Sequence, residues 1–226
     1  MLDLHTFSVV ARDPDGPAFG VAVATARPAV GSLVPFVSLD GGIATQARVS
    51  TDLGRRGLAL LGQGLPVQIA LQALLDADPD RDIRQLHGLD AREAFAHTGA
   101  RCVPWCGHRL GKDFTVAGNM LAGPGVLEAM VAALERARAE GREFSEGLLR
   151  ALEAGQAAGG DKRGKQSAAL LVASAAPRMY HNLRVDDHPE PVAELRRIYD
   201  GVAAHARQIE REYGAEGVRL FSQVKY

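Results

Sequence analysis

Apolar residues fall along this chain in two rhythms. Short unbroken runs, bounded by turn residues, alternate with longer stretches in which apolar side chains recur every three or four positions. The short runs read as strands buried on both faces. Thr6–Ala11 (TFSVVA) and Phe19–Ala24 (FGVAVA) flank Asp13-Pro14-Asp15-Gly16 and predict a hairpin. Val34–Leu39 and Gly42–Gln46 predict a second pair around Asp40-Gly41, and Arg84–Leu89 with Ala91–His97 a third around Asp90. Phe114–Asn119, Ala168–Ser174 and Met179–Val185 complete the strands.

The helical rhythm predicts Thr51–Leu61, a helix with Pro66 at its first position, Val126–Ala139, and Ser145–Gln156 with Ser145 as N-cap. A long helix over Pro189–Tyr213 follows, with Val192, Leu195, Ile198, Tyr199, Val202, Ala206 and Ile209 on one face. Hairpins outnumber strand–helix–strand units. The chain therefore reads as α+β, with antiparallel sheets packed face to face and helices outside. No linker or internal repeat divides it, so residues 1–226 are expected to form one domain. The first strand carries one anomaly. Thr6 and Ser8, two apart and so on one face, interrupt an otherwise apolar run, and their buried hydroxyls must find partners or do chemistry.

Bulk properties remove whole classes of function. The 226 residues are 46% hydrophobic and 23% charged with a net charge of -1, which suits a large core and gives no field to attract nucleic acid or a membrane surface. No apolar run reaches the roughly 18 residues of a membrane span, and the first residues lack a secretory pattern, so a cytoplasmic location is expected. The two cysteines make no disulfide framework.

Candidate chemistry concentrates in Ala154–Ser174, AGQAAGGDKRGKQSAALLVAS, where a helix end passes through Gly155, Gly159, Gly160 and Gly164 into a strand. The ordinary reading is a solvated turn before a core strand. Its functional reading uses Arg163 to grip a substrate carboxylate bidentately and Asp161 to bind a substrate amine, although an internal Asp161–Arg163 pair is the simpler arrangement. The loop precedes a strand, so it is no phosphate-cradling loop backed by a helix N-terminus. Cys102, Cys106 and His108 form C-x3-C-x-H, one ligand short of a structural zinc site. Asp186, Asp187 and His188 are a distant complement, more suited to capping the following helix. A buried thiol is the simpler role for Cys102.

Several stretches together resemble the DUF1028 family: TFSVVARDPDG (Thr6–Gly16), GVAVATA (Gly20–Ala26), AVG (Ala29–Gly31), GIATQA (Gly42–Ala47), TGARC and WCGH (Thr98–Cys102, Trp105–His108), GNMLAG (Gly118–Gly123), EAGQAAGGDKRGKQSAALLV (Glu153–Val172) and LRVDDHPEPVAELRR (Leu183–Arg197). The resemblance implies an N-terminal nucleophile hydrolase, with a four-layer αββα sandwich of two antiparallel sheets. In that class a Thr, Ser or Cys at the start of a central strand attacks an amide, and its own α-amine serves as base. Thr6 resembles that nucleophile. Asn119 resembles an oxyanion donor. Thr45 and Gln46 are placed to orient substrate, and Ser167 to hydrogen-bond the nucleophile's amine.

Each of these residues also has an ordinary role: strand threonine, turn cap or strand-edge hydroxyl. Because Thr6 is not the first residue, Met1–His5 is expected to be a leader removed by attack of Thr6 on the preceding carbonyl. The implied function is an amidohydrolase acting on a small-molecule or peptide-like substrate through an acyl-enzyme, with no cofactor and no metal. Two alternatives stay open: a non-catalytic small-ligand-binding protein that reads a carboxylate through Arg163, and a zinc-dependent hydrolase built on Cys102, Cys106 and His108. The C-terminal helix is expected to pack on its own domain, with a homo-oligomer contact as the other use of its stripe.

Overall fold

The structure, a computed structural model, describes the backbone of residues 3–4 and 6–221 and the side chains of residues 6–214. It is α+β, with two antiparallel sheets and five α-helices. The strands are β1 (Asp3–Leu4), β2 (Thr6–Arg12), β3 (Ala18–Thr25), β4 (Pro35–Ser38), β5 (Gly41–Arg48), β6 (Arg84–Asp90), β7 (Ala94–Thr98), β8 (Gly107–Leu110), β9 (Phe114–Gly118), β10 (Ser167–Ser174) and β11 (Asn182–Val185). The helices are α1 (Thr51–Gly62), α2 (Val67–Asp76), α3 (Gly125–Ala139), α4 (Phe144–Ala157) and α5 (Pro191–Phe221), the last broken at Gly214, where φ is 55°.

One sheet runs β1-β5-β6-β7, with β4 on the same edge of β5 as β1; the other runs β11-β10-β3-β2-β9-β8. Helices α1 and α2 cover the outer face of the first sheet, and α3, α4 and α5 that of the second. Strand alternation builds this order. Along β2, Phe7, Val9 and Ala11 face α3 and α4, while Val10 faces the other sheet. Both faces are buried, which is why the run is apolar throughout. Each large side chain so buried contributes roughly 2 kcal/mol.

The layer between the sheets changes character along its length. Val10, Val21, Val23, Val34, Ala44 and Leu89 make one end apolar. Gly42 lets the sheets close there, since a Cβ on it would lie 2.7 Å from Val10 Cγ1. Towards the other end, β2 reads Val10, Ser8, Thr6; β5 reads Ala44, Gln46; and β6 reads Leu89, His87, Gln85. All of these are buried.

Three local expectations are corrected. Ser145 lies inside the first turn of α4, buried against Tyr199; the cap is Glu143, whose carboxylate accepts from the Glu146 N–H at 3.1 Å. Pro66 precedes α2 rather than starting it, and the Val67 N–H is taken by Asp90 Oδ2 at 2.9 Å. Asp90 thus ends β6, ahead of the turn into β7, and also caps α2. Met179–Val185 is not one strand. Met179–His181 is a 3-10 turn, held as Tyr180 meets Tyr199 edge-on with ring centroids 5.3 Å apart, and only Asn182–Val185 pairs. The apolar stripe of α5 packs on its own chain through Val192, Leu195, Tyr199 and Ala203. Among the described residues no helix is long and apolar enough to cross a membrane.

Candidate active site

The polar end of the inter-sheet layer is the candidate site. Strand register puts a row of polar residues across the second sheet: Thr6 lies opposite Thr25, and Thr25 opposite Ser167. On the other side the Asn119 N–H donates to the Thr6 carbonyl at 3.0 Å, so Asn119 flanks Thr6 just past the end of β9. Thr25 was missed in the sequence; it closes an apolar run and looks like a strand end.

A hydrogen-bond network joins this row to the first sheet, and its polarity follows from two main-chain atoms. The Gln85 Nε2 lies 3.0 Å from both the Gly107 and Gly118 carbonyls, which can only accept. Gln85 Oε1 therefore faces Gln46 Nε2 (2.7 Å) and Asn119 Nδ2 (3.0 Å), both donors. Gln46 Oε1 is then left to accept from Ser8 Oγ at 2.6 Å. Ser8, its proton committed, must accept from His87 Nε2–H at 2.8 Å. His87 Nδ1 in turn accepts from Thr115 Oγ1 at 2.7 Å. The tautomer is thus assigned by donor accounting. His87 is fully buried, which pushes its pKa down to about 3, with the neighbouring His108 adding to the effect; it is neutral at pH 7.

Within this satisfied layer one atom stands apart. Thr6 is fully buried, and its Oγ1 has no hydrogen-bond partner among the described residues. Leaving a buried hydroxyl unpaired costs about 1–3 kcal/mol. Ser8, two residues along the same face, is equally buried and has two partners.

The glycine loop closes the same end. Asp161 bridges to Leu121, and the Ala122 N–H donates to the Gly160 carbonyl at 3.1 Å. Gly159 and Gly160 take positive φ, and a Cβ on Gly159 would lie 2.7 Å from Ala122 Cβ, so the close approach requires glycine. Asp161 accepts from the Ala26 N–H (3.2 Å) and pairs with Arg163 Nη2 (2.6 Å), the internal arrangement expected as the simpler one. Among the described residues, the non-glycine positions with positive φ are Ala29, Ala47 and Met120. All three lie around this end: beside Ser167, opposite Leu4 in β1, and next to Asn119. Such backbone conformations, costing of order 1–3 kcal/mol each, cluster at functional sites.

Thr6, Asn119 and Gln46 are therefore brought together, with Asp161 and Arg163 beside them. Thr45 is not: it lies on the opposite face of β5, and its hydroxyl accepts from the Ser50 N–H at 3.4 Å, ahead of α1. Ser167 shares the face of Thr6 but lies two strands away, roughly 10 Å at the usual strand spacing. Its hydroxyl donates to the Arg27 carbonyl (2.5 Å) and accepts from the Val30 N–H (3.1 Å), so it holds a loop and not the Thr6 amine. Gln85, His87 and Thr115 were missed. Their signal was present: Gln85 and His87 are polar at alternate positions of an otherwise buried strand, the pattern that singled out Thr6 and Ser8.

The cysteine cluster does not converge. Cys102 Sγ donates to the Arg84 carbonyl (3.3 Å), Cys106 Sγ to the Cys102 carbonyl (3.6 Å), and His108 Nδ1 pairs with Thr98 Oγ1 (2.9 Å). No group of three metal-ligating side chains comes together among the described residues. Burial pushes the Cys102 thiol up to about 11 and raises Cys106 as well, the opposite of a reactive thiolate. Asp187 and His188 tie the start of α5 to the glycine loop through Gln166, whose side chain donates to Asp187 (3.1 Å) and whose carbonyl accepts from the His188 N–H (2.9 Å). Asp186 pairs with Arg184.

The family of unknown function DUF1028 matches residues 6–195. Protein SPO2555 from Silicibacter pomeroyi, known from a DUF1028 crystal structure, is similar at 34% identity and a TM-score of 0.79, over 87% of this chain and 88% of that one. No curated protein matches.

Proposed function

The chain belongs to the DUF1028 family, and from that premise we propose that it is an N-terminal nucleophile amidohydrolase whose nucleophile is Thr6. The observation that carries the reading is the fully buried Thr6 hydroxyl, without a partner beside a network in which every neighbour has one. The helix–sheet–sheet–helix order is the layering that class requires. The family match also begins at Thr6, which leaves the expected leader Met1–His5 outside it. Of that leader, only the Asp3–Leu4 backbone lies within the described residues.

The first reaction is intramolecular. Thr6 Oγ attacks the carbonyl carbon of the His5–Thr6 bond, the C–N bond breaks, and the nitrogen takes up the Oγ proton to become the Thr6 amine. Water then hydrolyses the ester, releasing the leader as a carboxylic acid and restoring the hydroxyl. With a substrate amide the sequence repeats. The free α-amine, whose ordinary pKa lies near 8, accepts the Oγ proton and returns it to the leaving amine. The Asn119 carboxamide, oriented by Gln85, is the donor to the oxyanion. A ligand-binding role through Arg163 has less support, because its guanidinium fork is already turned onto Asp161.

Intact-mass spectrometry tests the reading. The wild type is expected to lose residues 1–5, and Thr6→Ala to keep them. A full-length mass in a preparation active on amides would overturn it.

A further inference from the structure

Building on that reading of Thr6, we infer that the substrate is an extended peptide. Its acyl part adds as a short strand to the β5 edge now covered by β1, with an acidic residue at the third position ahead of the cut bond.

The edge is defined by what already occupies it. β4 pairs with β5 as far as Ala44, and the Thr45 N–H continues to the Val34 carbonyl at 3.2 Å. Beyond that, β1 pairs antiparallel, with Leu4 opposite Ala47 and Asp3 opposite Arg48. The stretch left for a second strand is therefore Gln46–Arg48. Two residues after Leu4 the chain has crossed into the other sheet, where β2 begins at Thr6.

Asp3 and Leu4, ahead of the first bond to be cut, thus form a strand on β5 that runs toward Thr6. Once they are released, that edge offers main-chain donors and acceptors with no covering strand. Strand addition is how such an edge binds a peptide. A substrate acyl group must reach the same Oγ that the leader carbonyl reaches, so it follows the same track. Continuing the β1 register by one position puts its last residue opposite Gln46, which is locked to Ser8 and Gln85.

The acidic preference comes from Arg48. It stands opposite Asp3 in the register, and opposite charges directly across an antiparallel pair attract. The strand end carrying Arg48 is fixed, because Arg84 Nη1 donates to the Arg48 carbonyl at 2.6 Å and Arg84 is itself pinned by Asp78.

The test uses wild-type protein shown by intact mass to lack residues 1–5. It is assayed on the 4-nitroanilide of Met-Leu-Asp-Leu-His, on the same peptide with lysine in place of aspartate, and on acetyl-histidine 4-nitroanilide. The leader peptide is expected to be hydrolysed with kcat/KM at least about tenfold above the acetyl-histidine compound. The lysine peptide is expected to lose about threefold, and Arg48→Glu, folded by its melting curve, to prefer the lysine peptide. Equal rates on all three, hydrolysis of the short anilide alone, or no hydrolysis by leader-free protein overturns the inference while self-cleavage by Thr6 stands. A wild type that keeps residues 1–5 removes the Thr6 reading itself, and this inference with it.

Discussion

Two hydroxyls on one face of β2 give opposite predictions. Thr6 and Ser8 are both fully buried, but Thr6 Oγ1 has no partner among the described residues, whereas Ser8 Oγ joins Gln46 and His87. Thr6→Val replaces an unpaired hydroxyl by a methyl of nearly the same volume. It removes a desolvation cost of about 1–3 kcal/mol and breaks no hydrogen bond, so the uncut chain gains about 1–2 kcal/mol. Ser8→Ala instead orphans the buried Gln46 carbonyl and His87 Nε2–H, at about 2–4 kcal/mol in the destabilising direction. At roughly 2–4 °C per kcal/mol for a chain of this size, the two variants should melt on opposite sides of the full-length wild type. The assay is thermal and urea unfolding at pH 7, with wild type and Ser8→Ala taken before self-cleavage and full length confirmed by mass before and after each melt. A Thr6→Val protein destabilised by about 1 kcal/mol or more would show that the hydroxyl is structural, and the nucleophile reading would lose its carrying observation.

Three other outcomes follow from the same geometry. His87 is held neutral by burial, with a folded pKa of about 3 against an ordinary 6.5, so its contribution is complete above about pH 6.5 and drains as pH falls toward 3. His87→Gln should be less stable than wild type at pH 7, and urea titrations should show the gap shrinking by about 2 kcal/mol at pH 5. Arg163→Ala leaves the Asp161 carboxylate, with 1% of its side chain exposed, without its guanidinium; a loss of about 2–3 kcal/mol is expected in chemical denaturation, and restoration by Asp161→Asn in the same chain would confirm the pair. Cys102, with its thiol pushed up to about 11, should resist iodoacetamide at pH 8 until the protein is unfolded, as read by peptide mass mapping.

What the sequence made legible was decided by period and punctuation. Apolar runs such as FGVAVA, bounded by Asp-Pro-Asp-Gly, place β2 and β3 within a residue or two, and the helical stripes place α1 to α5. The two-residue β1 and the β8 segment GHRL carry too few apolar positions to register; they exist because β5 and β9 offer edges. Ser145 looked like a cap because serine usually is one, yet α4 starts one residue before it and the Glu143 side chain takes the Glu146 N–H. At the site, Thr6, Gln46 and Asn119 were found at strand ends, where polar residues stand out. Gln85 and His87 lie inside a fully buried strand, and only their pairing across the layer gives them meaning. Thr45 and Gln46 looked equivalent in sequence, but strand alternation sends one to α1 and the other to Ser8.

The bonds from Ser8 to Gln46 and His87, and from Gln85 to the Gly107 and Gly118 carbonyls, rivet one sheet to the other at the Thr6 end. Sliding the sheets past each other would break all of them at once. The two sheets therefore behave as one anvil. Under the proposed function, the opening that admits a substrate falls to the lighter parts bolted to it, the leader strand β1 and the segment around Gly159, Gly160 and Gly164.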